Sequence, residues 1–461
     1  MKLRELVRNL PESKVFGSLD IAIRSLASHS DDVKKGSLFV AVKGLHVDGH
    51  KFIKSAIKDG AVVIVGEKKL KPKKYQGVTY VQVPNTRQAL GHLASVWYEH
   101  PSKKLKVIGI TGTDGKTTTA NLLWNILNGS GKKAGLISTI GARIGDKIYD
   151  TGLHVTNPEA LELQKHLALM VSKGCRYAVL EVTSHGIDQG RVTGVHFDTA
   201  VLTNITHEHF DYHKNIKNYR RTKSKIFQNV RYAVLNRDDR SYEFFKKVAK
   251  GSKIISYTHK SKYAPRATLL GKYNLYNISA ATTVAQIYKC SDKKIQQVLE
   301  FFPTLPGRME EIGVKQNFRI FVDFAHTPNA LKSVLTSLRI LLPKGKKLIV
   351  LFGCAGERDT STRAIRGQIA VRYAHIVIIT ADDPRTESLS SIYRDIVSNV
   401  SKARGRKIIR EDDRKKAIAK AFALAEEGDF MLLAGKGHEK SISIGGKELP
   451  WSDVEVARSF L

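Results

Sequence analysis

Short apolar runs alternate along this chain with longer stretches in which apolar residues recur at helical spacing. Runs at 37–42, 61–65 and 78–83 predict strands. A helical pattern follows from Asn85 to about His100, and Pro101 ends it, since proline lacks the donor a further turn needs. From Lys103 the texture changes. A strand at 106–110 leads into a glycine loop and a helix from Lys116 to about Leu127, with further strands at 177–182, 199–205 and 232–235 and a helix over 275–288. Pro306-Gly307 marks the next boundary. Beyond it, strands at 319–324, 347–352, 376–380 and 430–433 are interleaved with helices starting at Pro328, Thr362, Leu389 and Arg414. Such alternation implies βαβ units and mainly parallel sheets. The expected fold is α/β in three domains, 1–102, 103–306 and 307–461.

The segment from Thr111 to Thr119, TGTDGKTTT, follows a strand and opens a helix. Glycines there let backbone N–H groups turn toward phosphates, and the helix N-terminus adds positive potential. Lys116 is placed to reach terminal phosphates and the Thr117 hydroxyl to ligate magnesium. Position 110 is Ile, so the spacing departs from the strict GxxxxGKT pattern. Glu181 ends a buried strand and His209 follows another, so both are expected beside the loop as metal ligands.

Composition narrows the class. Hydrophobic content of 42% and charged content of 26% over 461 residues are ordinary for a globular protein. No apolar run is long enough to span a bilayer, and MKLRELVRNLPES has no signal-peptide core, which points to the cytoplasm. Cys175, Cys290 and Cys354 show no metal or redox spacing. The net charge of +33 fits nucleic-acid binding, polyanionic substrates or a general lysine bias. Lysine pairs such as Lys68-Lys69, Lys73-Lys74 and Lys103-Lys104 are scattered, which favours a solvated surface without a specific nucleic-acid partner.

Read in order, SLFVAVKG, VDGHKFI, TGTDGKTTT, LEVTSHGIDQGRV, TNITHEHFDYH, YRRTKSKIF, GKYNLYNISAA, LPGRMEEI, VDFAHTPNAL, FGCAGERD, TADDPRTES and LLAGKGHE make the chain resemble the Mur ligases, and within them the UDP-N-acetylmuramoyl-tripeptide synthetases. The resemblance covers nearly the whole chain. It implies a uridine-nucleotide-binding first domain, a central ATP-binding domain and a Rossmann-like third domain that binds the amino acid. It also implies an ADP-forming amide ligase of peptidoglycan precursor synthesis. Its partners would be a UDP-N-acetylmuramoyl dipeptide and a diamino acid, its cofactors ATP and two magnesium ions, and its state a monomer.

Residue by residue, the resemblance assigns Gly112, Thr113, Asp114, Gly115, Lys116, Thr117, Thr118, Asn277, Arg308, Asp323 and His326 to ATP. Thr117, Glu181, His209 and Lys223 fall to metal, with Lys223 carbamylated by carbon dioxide. Ser30, Thr156, Asn157, Thr183, Gln189 and Arg191 fall to the UDP substrate, and Arg358, Asp382, Asp383, Pro384, Arg385, Gly435 and Glu439 to the amino acid.

The chain departs from the family in places. His29 and Asp31 flank Ser30 where Asp and Arg are usual, and Thr362-Arg363-Ala364 replaces Lys-Arg-Pro. The stretch from Asp239 to Gly271 reads as short, with part of a peripheral sheet missing. Asp383 stands where diaminopimelate-adding members carry a neutral Asn, and offers a carboxylate that suits lysine's ammonium. Arg385 suits the distal carboxylate of meso-diaminopimelate. A folylpolyglutamate synthase would share the ATPase core, but the motifs at 36–53 oppose it. The loop, Glu181, His209 and Lys223 oppose a non-enzymatic nucleic-acid-binding relative.

Overall fold

The computed structural model describes the chain apart from residues 9, 45–46, 70–76, 153–155, 264–268, 314–315 and 401–405. Lys73-Lys74 therefore lies outside the described residues. Three sheets, each with its own helices, give a three-domain α/β fold.

The first sheet runs Lys14–Phe16, Thr79–Gln82, Ala61–Gly66, Ser37–Val40, Ser25–Ala27 in space, parallel except for its first pair. Helix Thr86–Trp97 starts where the Asn85 side chain accepts from the Gln88 N–H at 3.0 Å, satisfying one of the otherwise orphaned donors of its first turn. Its face of Ala89, Leu90 and Leu93 packs on Val63, Val65 and Val81. The helix stops three residues earlier than the pattern suggests, because Glu99 and His100 turn left-handed ahead of Pro101.

The central sheet runs Lys253–Tyr257, Tyr232–Asn236, Thr199–Leu202, Lys106–Thr111, Tyr177–Glu181, Ala134–Ser138, all parallel, then the antiparallel Gly141–Ile144 and Lys147–Tyr149. Lys106–Thr111 lies between Thr199–Leu202 and Tyr177–Glu181, so the chain leaves all three strands on one edge, where α/β sheets form their crevice. Helix Lys116–Gly129 covers this sheet beside Tyr273–Ile287, with Leu122, Leu123, Ile126 and Leu127 fully buried. Each contributes about 1.5–3 kcal/mol of burial, which anchors the glycine loop at the helix start. Among the described residues no strand intervenes between Lys253–Tyr257 and Tyr273–Ile287.

The third sheet runs Glu310–Ile312, Arg319–Asp323, Phe430–Ala434, Leu348–Phe352, Ile376–Ile379, Lys407–Arg410, parallel except for the first pair. Buried Arg414 pairs with Asp453 at 2.6 Å and donates to the carbonyls of Ala381 and Ala434 at 3.0 and 3.1 Å. It thus ties together the loops that leave two strands. Removing one partner of such a pair costs about 3–5 kcal/mol.

Candidate active site

Gly112 and Gly115 are both left-handed, at φ +150° and +81°. A Cβ on Gly112 would strike the Thr203 hydroxyl, and one on Gly115 the Asn277 amide. Only glycine fits either place. The strand predicted over 199–205 ends at Leu202 because the next residues hold this loop. The Asn204 carbonyl accepts from Thr113 N–H at 2.8 Å, and its side chain accepts from Asp114 N–H at 3.0 Å. Lys116 Nζ donates to the Thr113 carbonyl at 2.6 Å. Thr118 and Asn277 are buried behind the loop, and Thr119 donates to Asn277 at 3.3 Å.

The Thr117 hydroxyl lies 3.0 Å from the Glu181 carboxylate, which also accepts from Thr139 N–H at 3.1 Å. Thr139 joins Thr156 hydroxyl to hydroxyl at 3.0 Å. Asn157 donates to the Glu181 carbonyl at 2.7 Å and accepts from the Thr183 hydroxyl at 2.9 Å, while Arg191 donates to the Asn157 carbonyl at 2.8 Å. Four of the expected substrate residues thus form one network beside the loop. Gln189 follows Asp188, whose carboxylate accepts from the Tyr212 hydroxyl at 2.7 Å. Ser30 lies in the first domain, on the turn Ser30–Asp32, with its hydroxyl donating to Asp31 at 3.2 Å.

A second wall comes from 203–223. His209 is left-handed at φ +57° and packs edge-on against His185, their ring centroids 4.5 Å apart. Burial, with His209 and His213 beside it, brings His185 down to about 3. Lys223 is fully buried; its Nζ donates to the Gly112 carbonyl at 2.8 Å and sits 4.6 Å from the Tyr219 ring centre. Burial and then Lys116 push this amine well below its usual range. Glu208 accepts from Tyr219 at 2.9 Å and from His326 Nε2 at 3.2 Å. Burial alone would raise Glu208, yet His209, the His326 bond and Lys116 hold it well below.

The third domain closes over this wall. Arg308 donates to the Thr117 hydroxyl at 3.1 Å, its guanidinium 4.8 Å from the Phe324 ring centre. Asp323 accepts from Met309 N–H at 2.7 Å, and burial lifts its carboxyl to about 6. The loop's Asp114 accepts from Thr327 at 2.9 Å and from Asn329 at 2.7 Å. Asp114 is therefore also an interdomain clasp.

The amino-acid candidates cluster at the ends of third-sheet strands. Glu357, Asp359, Asp383 and Arg385 are all left-handed, a costly conformation for residues with a Cβ that concentrates at functional loops. Arg358 is pressed down by burial and by Arg385, with Asp211, Asp383 and Glu439 also in range. The Arg385 guanidinium donates to the Gly356 carbonyl at 3.4 Å. Gly435 faces the Asp382 carboxylate, and Pro384 abuts Gly356. The Asp383 carboxylate, expected to invite an ammonium, instead accepts from Lys436 Nζ and Ser443 N–H, both at 2.8 Å. Arg363, from the departure at 362–364, is fully buried and bonds Glu387, Asp395 and the Ala355 carbonyl.

Glu208, Tyr219, Asn204, Thr327 and Lys436 were not singled out in the sequence. Glu208 stood inside THEHFDYH between two histidines, and that flanking was its only signal. Among the described residues no three His, Cys, Asp or Glu side chains converge as a metal cage. No described helix is long and apolar enough to cross a membrane.

A glycine loop between a strand of a mainly parallel sheet and a helix, met by an arginine and a histidine from another α/β domain, fits a multidomain nucleotide-using enzyme. Residues 22–98 match the Mur ligase family catalytic domain, 110–268 the Mur ligase middle domain and 307–437 the Mur ligase glutamate ligase domain. The chain belongs to the Mur ligase family. It is 37% identical over 493 residues to the UDP-N-acetylmuramoyl-L-alanyl-D-glutamate--2,6-diaminopimelate ligase of Geobacillus thermodenitrificans, covering 100% of this chain and 99% of that one. The protein of that name from Bacteroides fragilis is 34% identical over 482 residues, with 99% of each chain covered. A solved UDP-N-acetylmuramoyl-L-alanyl-D-glutamate--2,6-diaminopimelate ligase superposes with a TM-score of 0.66 at 26% identity, over 100% of this chain and 98% of that one. A Mycobacterium tuberculosis folylpolyglutamate synthase shares the fold alone, at 14% identity and TM-score 0.60 over 76% of this chain and 92% of that one.

Proposed function

We propose that this protein is the ATP-dependent, ADP-forming ligase that adds meso-diaminopimelate to UDP-N-acetylmuramoyl-L-alanyl-D-glutamate in peptidoglycan precursor synthesis. It would work in the cytoplasm as a monomer, with domain boundaries near residues 102 and 306. The reading is carried by the likeness over the whole chain to 2,6-diaminopimelate ligases, with Arg358 in electrostatic range of Arg385 and Glu439. Two cations and a carboxylate suit a zwitterionic distal end, which diaminopimelate has and lysine lacks. Asp383, its carboxylate taken up by Lys436, gives no separate argument for lysine.

In this reading the loop N–H groups and Lys116 hold the ATP phosphates, while Asn277, Arg308, Asp323 and His326 position the nucleotide. A carboxylate oxygen of the dipeptide bonds to the γ-phosphorus as the bond to ADP breaks. The amine then bonds to the acyl carbon, loses a proton, and phosphate leaves. Thr156, Asn157, Thr183, Gln189 and Arg191 present the dipeptide carboxylate from the Glu181 side, and Ser30 contacts the uridine. The donor set fits magnesium: the Thr117 hydroxyl and the Glu181 carboxylate, 3.0 Å apart, offer hard oxygens. Thr117, Glu181, His209 and a carbamylated Lys223 would hold two such ions, which neutralise charge on the phosphoryl group.

Phosphate release with the UDP-muramoyl dipeptide should depend on meso-diaminopimelate and be much weaker with L-lysine; a preference for lysine would overturn the assignment. Arg385→Ala should lower kcat/KM about 100-fold with diaminopimelate, near the ~3 kcal/mol of strong charge-assisted hydrogen bonds. With lysine it should change little. Equal losses with both would remove the pairing.

The basic surface carries a separate expectation. DNA binding should be weak, without sequence preference, and should fade toward physiological salt as counterion release is suppressed. Gel shifts at rising salt check this, and selective, salt-resistant binding would contradict it.

A further inference from the structure

Basic residues that stand far apart in the sequence meet at the amino ends of the central sheet. In the order of its parallel strands in space, the residues at their starts are Lys253, Arg231, Asp198, Lys106, Arg176 and Lys133. Backbone bonds join the row. Lys253 N–H donates to the Arg231 carbonyl at 2.9 Å, Arg231 N–H to the Asp198 carbonyl at 3.0 Å, Lys106 N–H to the Arg176 carbonyl at 2.9 Å and Arg176 N–H to the Lys133 carbonyl at 2.9 Å. All five cations are exposed. At a strand spacing of roughly 4.8 Å the row is about 24 Å long. The turns 103–104, 130–133, 173–176 and 249–252 add five more lysines.

Against these ten cations stand, among the described residues, two ion-paired carboxylates: Asp198, 3.2 Å from Lys106, and Glu99, 3.0 Å from Lys104. Helices Lys116–Gly129, Ala160–Ser172 and Tyr242–Val248 also end on this face, as does Tyr273–Ile287, whose following Tyr288 hydroxyl donates to Asp198 at 2.7 Å. The half-charge at each helix C-terminus offsets about two cations more, which leaves a surplus of about six. The whole chain carries 76 basic to 43 acidic side chains, so this face is far more one-sided than the rest.

We propose that the amino edge of the central sheet is a docking surface for an anionic lipid bilayer. Four of its turns, 130–133, 173–176, 228–231 and 249–252, are only four residues long and offer no helix or β-ribbon to enter a nucleic-acid groove. A bilayer needs none: its negative headgroups are mobile in the plane and gather beneath cations, and each Lys or Arg near the surface adds to the attraction. Docking leaves the nucleotide crevice toward solution, because Arg176 and Glu181 lie at opposite ends of one strand, roughly 16 Å apart.

Cosedimentation of the full chain with vesicles at physiological salt tests this. The protein should bind vesicles of phosphatidylglycerol and phosphatidylcholine and not those of phosphatidylcholine alone. Arg176→Gln/Arg231→Gln/Lys253→Gln should weaken binding about 100-fold, at about fivefold per charge. Arg394→Gln/Lys415→Gln/Lys416→Gln removes the same charge from exposed positions of the third domain. It should cost less than about fivefold. Phosphate release should match wild type in both variants. No binding to the mixed vesicles, or equal losses in the two variants, would overturn the proposal. So would salt-resistant binding of DNA or RNA that only the first variant abolishes, since the face would then belong to nucleic acid. Should the first variant not fold, Arg231→Gln alone decides, with a loss of about fivefold expected and no loss contradicting the assignment.

Discussion

Lys116→Ala is expected to lower turnover by at least about 10³-fold, the scale lost when a charge-stabilising group is removed from a transferring phosphoryl group. The fold should survive. Lys116 is half-buried and among the described residues bonds only its own loop, at the Thr113 carbonyl, whereas the loop itself is held by Asn204, Thr203 and Thr206. Circular dichroism and melting temperature should stay near wild type while phosphate release disappears. A folded variant with wild-type activity would remove the nucleotide-site assignment.

Lys223→Ala should be nearly as damaging, with kcat down about 10²–10³-fold. Lys223 reaches the carbonyl of Gly112 from a buried position, where an ammonium would face Lys116 across the loop. In the proposed reading an uncharged amine in that place would react with carbon dioxide to give a carbamate and a proton, which would turn a repelled cation into an anion. Labelled bicarbonate should yield a carbamate carbon signal by ¹³C NMR that Lys223→Ala lacks, and a small carboxylate such as formate should restore part of the lost activity. Wild-type enzyme fully active without that signal would contradict the carbamate.

Much of this arrangement was legible in the sequence, for physical reasons that differ by element. The strand at 106–110, the loop and its helix were readable because glycine, lysine and threonine at that spacing serve one geometry. The buried strands around 179, 201, 350 and 432 were readable as continuous apolar runs. The strand Ala134–Ser138, the hairpin after it and the helix Ala160–Ser172 were not singled out, because AGLIS is short and the hairpin polar. Less legible still were contacts across domains. That Asp114 bonds Thr327 and Asn329, or that Glu208 takes a hydrogen bond from His326, depends on tertiary approach between segments more than a hundred residues apart. Asp383 shows the limit most clearly. Its charge was visible in the sequence, but its partner Lys436, 53 residues on, decides what that charge does.

The central claim, a carboxylate activated by ATP and passed to diaminopimelate, is tested most directly by isotope transfer. UDP-N-acetylmuramoyl-L-alanyl-D-glutamate labelled with ¹⁸O in the reacting carboxylate would be incubated with ATP, magnesium and meso-diaminopimelate, and the products weighed by mass spectrometry. The account predicts a UDP-muramoyl tripeptide and, for each one formed, a phosphate that carries one ¹⁸O from the carboxylate. Unlabelled phosphate, or phosphate released without tripeptide, would contradict it.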